Sequence, residues 1–300
     1  MTNAVVETKG LTKRYGEVAA LDGVDLALAG NQIIGLLGRN GAGKTTLMHI
    51  LTAQLFPSGG ELRVFGENPY ENEKALRKIS FIKESQAYPK SFSVADLVSL
   101  APGIYPNWDA AYADRLLKEF ELPSKRSIGK LSRGMVSALG IVIGLASRAP
   151  LTIFDEPYLG LDAASRTLFY DLLLEDYTEH PRTVVLSTHL IDEINRLLEH
   201  VVILDRGRVL LDMEADRFRG MGYTATGNGE RLQAFASGKR VLHEDGFGAM
   251  RSAVLWGECG AAERRQAAEL GLELGPVSVQ QLFVHLTSNG QAAAKGGERK

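Results

Sequence analysis

The eight residues Gly38-Arg39-Asn40-Gly41-Ala42-Gly43-Lys44-Thr45, followed by Thr46, form a G-x-x-x-x-G-K-T pattern whose spacing suits the cradling of phosphate. Glycines let successive backbone N–H groups curl round phosphate oxygens, and a helix starting here would add the positive end of its dipole. Lys44 would reach the outer phosphates of a nucleotide and Thr45 would hold magnesium. Further along, Leu151-Thr152-Ile153-Phe154-Asp155-Glu156 is an apolar run ending in two carboxylates. At the C-terminal edge of a sheet, Asp155 would hold the metal through its water shell, and Glu156 would polarise a water for in-line transfer of a terminal phosphate. On its own such a run reads equally well as a solvated strand end; the lysine loop upstream gives the carboxylates something to act on. His189, past another apolar run, is by itself an ordinary polar residue at a strand end, although one placed to donate a hydrogen bond to a phosphate across the sheet edge. Tyr15 alone reads as a surface or core tyrosine.

These residues need a scaffold, and the hydrophobic pattern supplies one. Strands are predicted over Val24–Leu28, Gln32–Leu37, Glu61–Phe65 and Ile79–Ile82, with a helix over Lys44–Gln54 between the second and third. The glycine loop therefore joins a strand to a helix, the βα unit of an α/β domain. From Ser93 to Ala149 the periodicity is helical, with starts at Ser93 and Asp109, which predicts a helical insert of about 93–149. Near-continuous apolar runs then return at Leu151–Phe154, Thr183–Leu186 and Val201–Leu204, as expected of buried parallel strands, separated by helices at Ala163–Glu179 and Leu190–Leu198. A hairpin through Asp205–Arg208 into Val209–Leu211 closes the domain, placing its boundary near residue 215. Residues 216–289 alternate short strands (Lys239–His243, Ser252–Trp256, Leu272–Leu274) with helices (Gly229–Ser237, Ala261–Gly271, Ser278–Thr287), a small α+β module. Residues 290–300 are expected to form a flexible tail.

Composition narrows the function classes. The 300 residues carry 34 basic and 36 acidic side chains, a net charge of -2, so no overall basic field points to nucleic acid. Hydrophobic residues at 45% and charged residues at 23% are globular values, which excludes wholesale disorder and coiled-coil composition. A single cysteine, Cys259, excludes an internal disulfide, and no His/Cys spacing suits a structural zinc. Met1–Gly10 lacks the apolar run of a signal peptide, so a protein that stays inside the cell is expected. The most apolar long stretch, Met135–Ser147, is shorter than the ~18 residues that cross a bilayer.

From about Glu7 to Met213 the order of six motifs resembles the nucleotide-binding subunit of an ATP-binding cassette (ABC) transporter. Besides Gly38–Thr45 and Leu151–Glu156, Leu131-Ser132-Arg133-Gly134-Met135 resembles the LSGGQ signature and Leu159-Gly160-Leu161-Asp162 the D-loop. Ser187-Thr188-His189 is similar to the switch-histidine motif, and Tyr15 to the aromatic that stacks on adenine. The resemblance implies an α/β fold of the P-loop NTPase, ABC type, with a mostly parallel core sheet, an antiparallel β part and a helical subdomain. It implies ATP and magnesium as ligands, with Ser132, Gly134 and Asp162 facing the nucleotide of a second cassette in a head-to-tail homodimer or heterodimer. It also implies separate transmembrane permease subunits, docked on the helical insert and the Q-loop, and a cytoplasmic protein peripheral on the inner face of the cell membrane. Cassettes with a small C-terminal extension look similar to those of bacterial exporters.

Departures from the family pattern bear on turnover. Arg133 replaces a glycine of the signature and Met135 its glutamine, whose hydrogen bonds a thioether does not make. In the Q-loop, Glu84 stands where the family carries a glutamine that senses magnesium and the attacking water. Either Glu84 ligates the metal or a local shift brings in Gln86, two residues on. Two other readings follow: a soluble ABC-type ATPase working in translation or on nucleic acid, against which the absence of a basic stripe counts, and a regulatory subunit with weak hydrolysis.

Overall fold

A computed structural model of the chain describes residues 4–84 and 86–295, without the side chains of Phe247 and of 289–295. The chain divides into two compact units, Met1–His189 with Leu197–Asp212, and Leu190–Arg196 with Met213–Lys300.

The first unit begins with β1 (Ala4–Tyr15) and β2 (Val18–Ala29), followed by β3 (Ile33–Leu37), α1 (Lys44–Leu51), β4 (Gly59–Val64), α2 (Glu73–Leu76) and β5 (Ile79–Ile82). Helices α3 (Val94–Ile104), α4 (Ala110–Glu119) and α5 (Arg133–Ala146) come next, with a 3-10 turn at Ile128–Lys130. The unit closes with β6 (Leu151–Asp155), α6 (Ala163–Glu179), β7 (Thr183–Ser187), β8 (His200–Asp205) and β9 (Arg208–Glu214). Six strands form one sheet in the order β5-β6-β7-β3-β8-β9, and the pairings from β5 to β8 are all parallel. Every residue of β3, β6 and β7 is buried, so both faces of these strands are covered, and their unbroken apolar runs follow from that.

A second, antiparallel sheet has the order β2-β1-β4. Its longest-range member, β1, escapes the sequence reading, and β2 begins ahead of the expected Val24. Three register shifts interrupt the apolar alternation in β1 beyond the one after Ala4, Gly10 has φ +55°, and the buried Thr8 spends its hydroxyl on the Val24 carbonyl at 2.9 Å. The helix expected to reach Gln54 ends at Leu51, where the Thr52 hydroxyl donates to the Met48 carbonyl.

The helical segment has three side-chain caps. Ser93 and Asp96 form a capping box at α3, Asp109 caps α4, and Ser132 caps α5. Helix α5 lies so close to the core sheet that glycines are required on its inner face. A Cβ at Gly140 would come within 2.9 Å of Ile82 Cγ2, and one at Gly144 within 2.5 Å of the Phe154 ring.

The second unit comprises α7 (Ile191–Ile194), α8 (Ala215–Gly220), β10 (Gly222–Asn228), α9 (Gly229–Ala236), β11 (Arg240–Phe247), β12 (Met250–Trp256), α10 (Ala261–Glu269), β13 (Glu273–Pro276) and α11 (Val279–Lys295). Its antiparallel sheet runs β11-β12-β10-β13, with Tyr223, Leu232, Phe235 and Leu255 among its buried core. Neither α8 nor β10 is anticipated from sequence. Strand β10 reads GYTATGN, and its two glycines sit where neighbours crowd the backbone: a Cβ at Gly222 would fall 2.3 Å from Leu282, and one at Gly227 2.5 Å from Leu272. The helix expected over Leu190–Leu198 is the single turn α7, and its segment packs with the second unit. There Gln280 Oε1 accepts from the Ile191 N–H, Asp192 accepts from the Gln280 N–H, and Arg219 reaches Asn195. Residues 290–295, expected as tail, continue α11, and 296–300 lie outside the described residues.

Replacing Gly144 by alanine is expected to lower stability by about 1–3 kcal/mol through overpacking against Phe154. Thermal unfolding of the full chain measures this, and a melting temperature equal to wild type would contradict the close approach of α5 to β6.

Candidate functional site

The register of the parallel sheet brings the chemistry-bearing residues to one edge. Leu36 of β3 and Asp155 of β6 both pair with Ser187 of β7, so the ends of all three strands lie level. From the end of β3 the chain passes through the glycine loop into α1. Gly41 and Gly43 adopt φ +80° and +106°, where only glycine is unstrained. Even a methyl group at Gly43 would strike the Ala20 carbonyl at 2.5 Å, and one at Gly38 the Leu204 carbonyl at 2.7 Å. Among the described residues no side chain caps α1, so its first-turn N–H groups and dipole end have no side-chain acceptor.

Lys44 is buried, and its Nζ donates to the Gly38 carbonyl at 2.7 Å, folding the lysine back along its own loop. Burial pulls its pKa down, opposed by the charges of Glu156 and Asp155. Thr45 Oγ1 donates to Asp155 Oδ2 at 3.0 Å, and Asp155 is only 4% exposed. One residue on, Glu156 takes φ +49°, a conformation that a non-glycine residue holds only when its surroundings enforce it. Its N–H donates to the Ser187 carbonyl at 3.1 Å, just past the paired residues Asp155 and Ser187.

A cavity of about 370 Å³ opens between these groups. Arg39, Asn40, Gly41, Ala42, Gly43, Lys44, Thr45 and Thr46 line one side, and Glu84, Asp155 and Glu156 the other. Gly38 lies at the loop's base, beneath Lys44. A larger cavity, about 1100 Å³, contains none of the sequence-predicted site residues. Its arginines, Arg148 and Arg182, are already paired with Asp176.

The remaining candidates are not in the lining of this cavity. Gln86 lines a separate cavity of about 300 Å³, together with Glu84 and Arg133, and its Oε1 is buried without a hydrogen-bond partner. Of the two Q-loop candidates, Glu84 is thus the one whose side of the loop faces Lys44 and Asp155. Tyr15 is exposed at the end of β1, with Lys13 Nζ 5.3 Å from its ring centroid. Ser132 accepts from the Met135 N–H at 3.2 Å as the α5 cap, and Asp162 from the Ser165 N–H at 2.8 Å as the α6 cap. Gly134 is pressed against the Gly160 carbonyl, where a Cβ would lie at 2.5 Å, so the signature turn and the D-loop turn touch within one chain. The two charged departures from the family pattern face each other, with Arg133 Nη2 3.6 Å from Glu84 Oε1.

His189 Nδ1 lies 2.8 Å from Glu156 Oε2. Between them stands Tyr158, which the sequence reading missed because no motif marks an aromatic two residues after Glu156. Its hydroxyl meets Glu156 Oε2, sits 3.0 Å from His189 Nδ1, and accepts from the Thr188 hydroxyl at 2.9 Å and the His189 N–H at 3.1 Å. Burial and the Glu156 carboxylate push the phenol pKa up, so the hydroxyl stays protonated.

A buried lysine beside a capless helix start, and a carboxylate pair one strand away, are the parts of a phosphoanhydride-cleaving site. Residues 21–159 match the family model described as ABC transporter. The chain is 31% identical over 220 residues to Bacitracin transport ATP-binding protein BcrA of Bacillus licheniformis, covering 72% of each chain. It is 30% identical over 215 residues to Nod factor export ATP-binding protein I of Cupriavidus metallidurans, covering 70% of this chain and 71% of that one. A solved structure, "Structure of ATP binding subunit of ABC transporter", is similar at TM-score 0.65 and 27% identity, over 72% of this chain and 92% of that one. The chain therefore belongs to the ABC transporter family, as a nucleotide-binding subunit that binds and hydrolyses ATP.

Proposed function

We propose that this subunit works as a head-to-tail dimer that drives separate transmembrane permease subunits in export. The observation that carries the site assignment is the convergence of Lys44, Thr45, Asp155 and Glu156 on one cavity at the sheet edge. The glycine loop and the start of α1 bind the phosphate chain, with Lys44 swinging from the Gly38 carbonyl to the β- and γ-phosphates. The Thr45 hydroxyl and the Asp155 carboxylate are two hard oxygen donors 3.0 Å apart, a set that fits magnesium with its remaining positions left to phosphate and water. Glu84, in the same lining, is close enough to act through that water shell. Magnesium, when bound there, supplies charge neutralisation at the β- and γ-phosphates. Glu156 accepts a proton from the attacking water as its oxygen bonds to the γ-phosphorus and the bond to ADP breaks. His189 donates to the γ-phosphate, and Tyr15 offers its exposed ring to adenine.

Ser132, Gly134 and Asp162 belong to a composite site completed by a second cassette. On the helical segment α3 exposes Leu100 and Ile104, which supports docking of a permease there. No helix among the described residues is long and apolar enough to cross a membrane, in keeping with a subunit peripheral to the cytoplasmic face. The export direction draws on the relative named for Nod factor export.

Three measurements test this reading. Glu156→Gln is expected to bind ATP normally and to lose at least about 100-fold in hydrolysis, whereas Lys44→Ala loses binding itself; an unchanged rate for Glu156→Gln would remove the base assignment. Removing Arg133 leaves the Glu84 carboxylate unpaired beside the phosphate cavity, so Arg133→Gly should weaken ATP affinity about fivefold and Glu84→Gln on top should restore it, as equilibrium titration reads. Purified from its native membranes in detergent, the full chain should carry a polytopic membrane protein with it; a stable complex lacking one would overturn the transporter assignment.

A further inference from the structure

The hydroxyl of Tyr158 lies within reach of two side chains of the site, and its single proton can serve only one of them at a time. A phenol has one donor and two lone pairs; the His189 N–H donates to the oxygen at 3.1 Å, and the Thr188 hydroxyl at 2.9 Å is placed to donate to it as well. Its proton can point to Glu156 Oε2 or to His189 Nδ1, which are themselves 2.8 Å apart. Tyr158 as a whole is 3% exposed.

The two orientations dictate different chemistry. With the phenolic proton on Glu156, Nδ1 faces two oxygens and must itself carry a proton, donated to Glu156. In a neutral imidazole Nε2 then holds a lone pair and repels a phosphate oxygen instead of donating to it. Glu156 Oε2 meanwhile accepts two hydrogen bonds, which occupy the oxygen that would otherwise accept from water. With the phenolic proton on Nδ1, Nε2 carries the imidazole proton and can donate to a phosphate, while Glu156 Oε2 is released to accept from water. Passing from one to the other needs no net charge: Nδ1 gives its proton to water, Nε2 takes one from water, and the hydroxyl rotates. The His189 side chain is 55% exposed, which gives that exchange its route.

We propose that Tyr158 is a positioning residue that sets the tautomer of His189. Its hydroxyl holds histidine and glutamate in a resting arrangement without nucleotide and turns to Nδ1 when a γ-phosphate demands the Nε2 proton. This rests on the assignment of Glu156 as base and His189 as phosphate donor, and extends it to a residue that touches neither water nor phosphate. Phenylalanine at 158 keeps the ring and removes the choice, so Nδ1 has only Glu156 to face and the resting tautomer persists.

Histidine-selective ¹⁵N labelling of the full chain reads this directly at about pH 8, where imidazole is ordinarily neutral. The His189 resonance is identified by its loss in His189→Ala. The expected result is Nδ1–H in the wild type without nucleotide and Nε2–H with magnesium and the β,γ-imido analogue of ATP. In Tyr158→Phe, Nδ1–H remains with the analogue bound, and kcat falls about 100-fold with KM for ATP within about twofold. A wild type that keeps Nδ1–H with the analogue bound, or a Tyr158→Phe enzyme at wild-type kcat, would overturn the proposal. The wild-type comparison needs no variant to fold, and a failure of the underlying reading shows separately, as undiminished hydrolysis by Glu156→Gln.

Discussion

The parallel ladder joining β3, β7 and β6 is the constraint on which the site depends. Backbone hydrogen bonds level Leu36, Ser187 and Asp155, in three strands that are buried along their whole length. Because the strands end level, the loop that leaves β3, the carboxylates that leave β6 and the histidine that leaves β7 emerge together. The bond from the Glu156 N–H to the Ser187 carbonyl continues this ladder into the residue that turns left-handed, at φ +49°.

Glycine works in two ways around this ladder. In the phosphate loop it supplies conformations closed to other residues and clearance from the Ala20 and Leu204 carbonyls. In α5 it supplies distance alone: Gly140 and Gly144 are ordinary in conformation and necessary only because the helix lies against Ile82 and Phe154. Gly134, in the first turn of the same helix, meets the Gly160 carbonyl. Helix α5 is thereby held at its start against Gly160 and along its length against Ile82 of β5 and Phe154 of β6.

Charge departures in this chain are local and mutual. Arg133 and Glu84 each differ from the family pattern, and each offers the other the opposite charge at 3.6 Å. Exposed as both are, such a pair contributes little to stability, on the order of 1 kcal/mol or less. Its effect lies instead in the field near the phosphate cavity, where an unpaired carboxylate would oppose ATP.

Much of the molecule is legible in the residues alone. Unbroken apolar runs mark buried strands, capping residues Ser93, Asp109 and Ser132 mark helix starts, and the glycine-lysine loop names its ligand through the chemistry of its backbone. All of these are local signals, written within a few residues of the structure they specify. What the sequence conceals is set by partners distant in the chain. Strand β1 is held by pairing on both sides despite its polar residues and register shifts, and β10 lies inside its sheet with glycines where Leu282 and Leu272 crowd its backbone. The choice between Glu84 and Gln86, the pairing of Arg133, and the place of Tyr158 between Glu156 and His189 belong to the same class. The sequence by itself determined that this chain binds ATP in a cassette fold, because phosphate recognition is encoded in one contiguous loop and the family's other motifs are short segments set in order along the chain. Only the tertiary structure decided which side chains meet around that phosphate, because those meetings join residues from separate strands and loops.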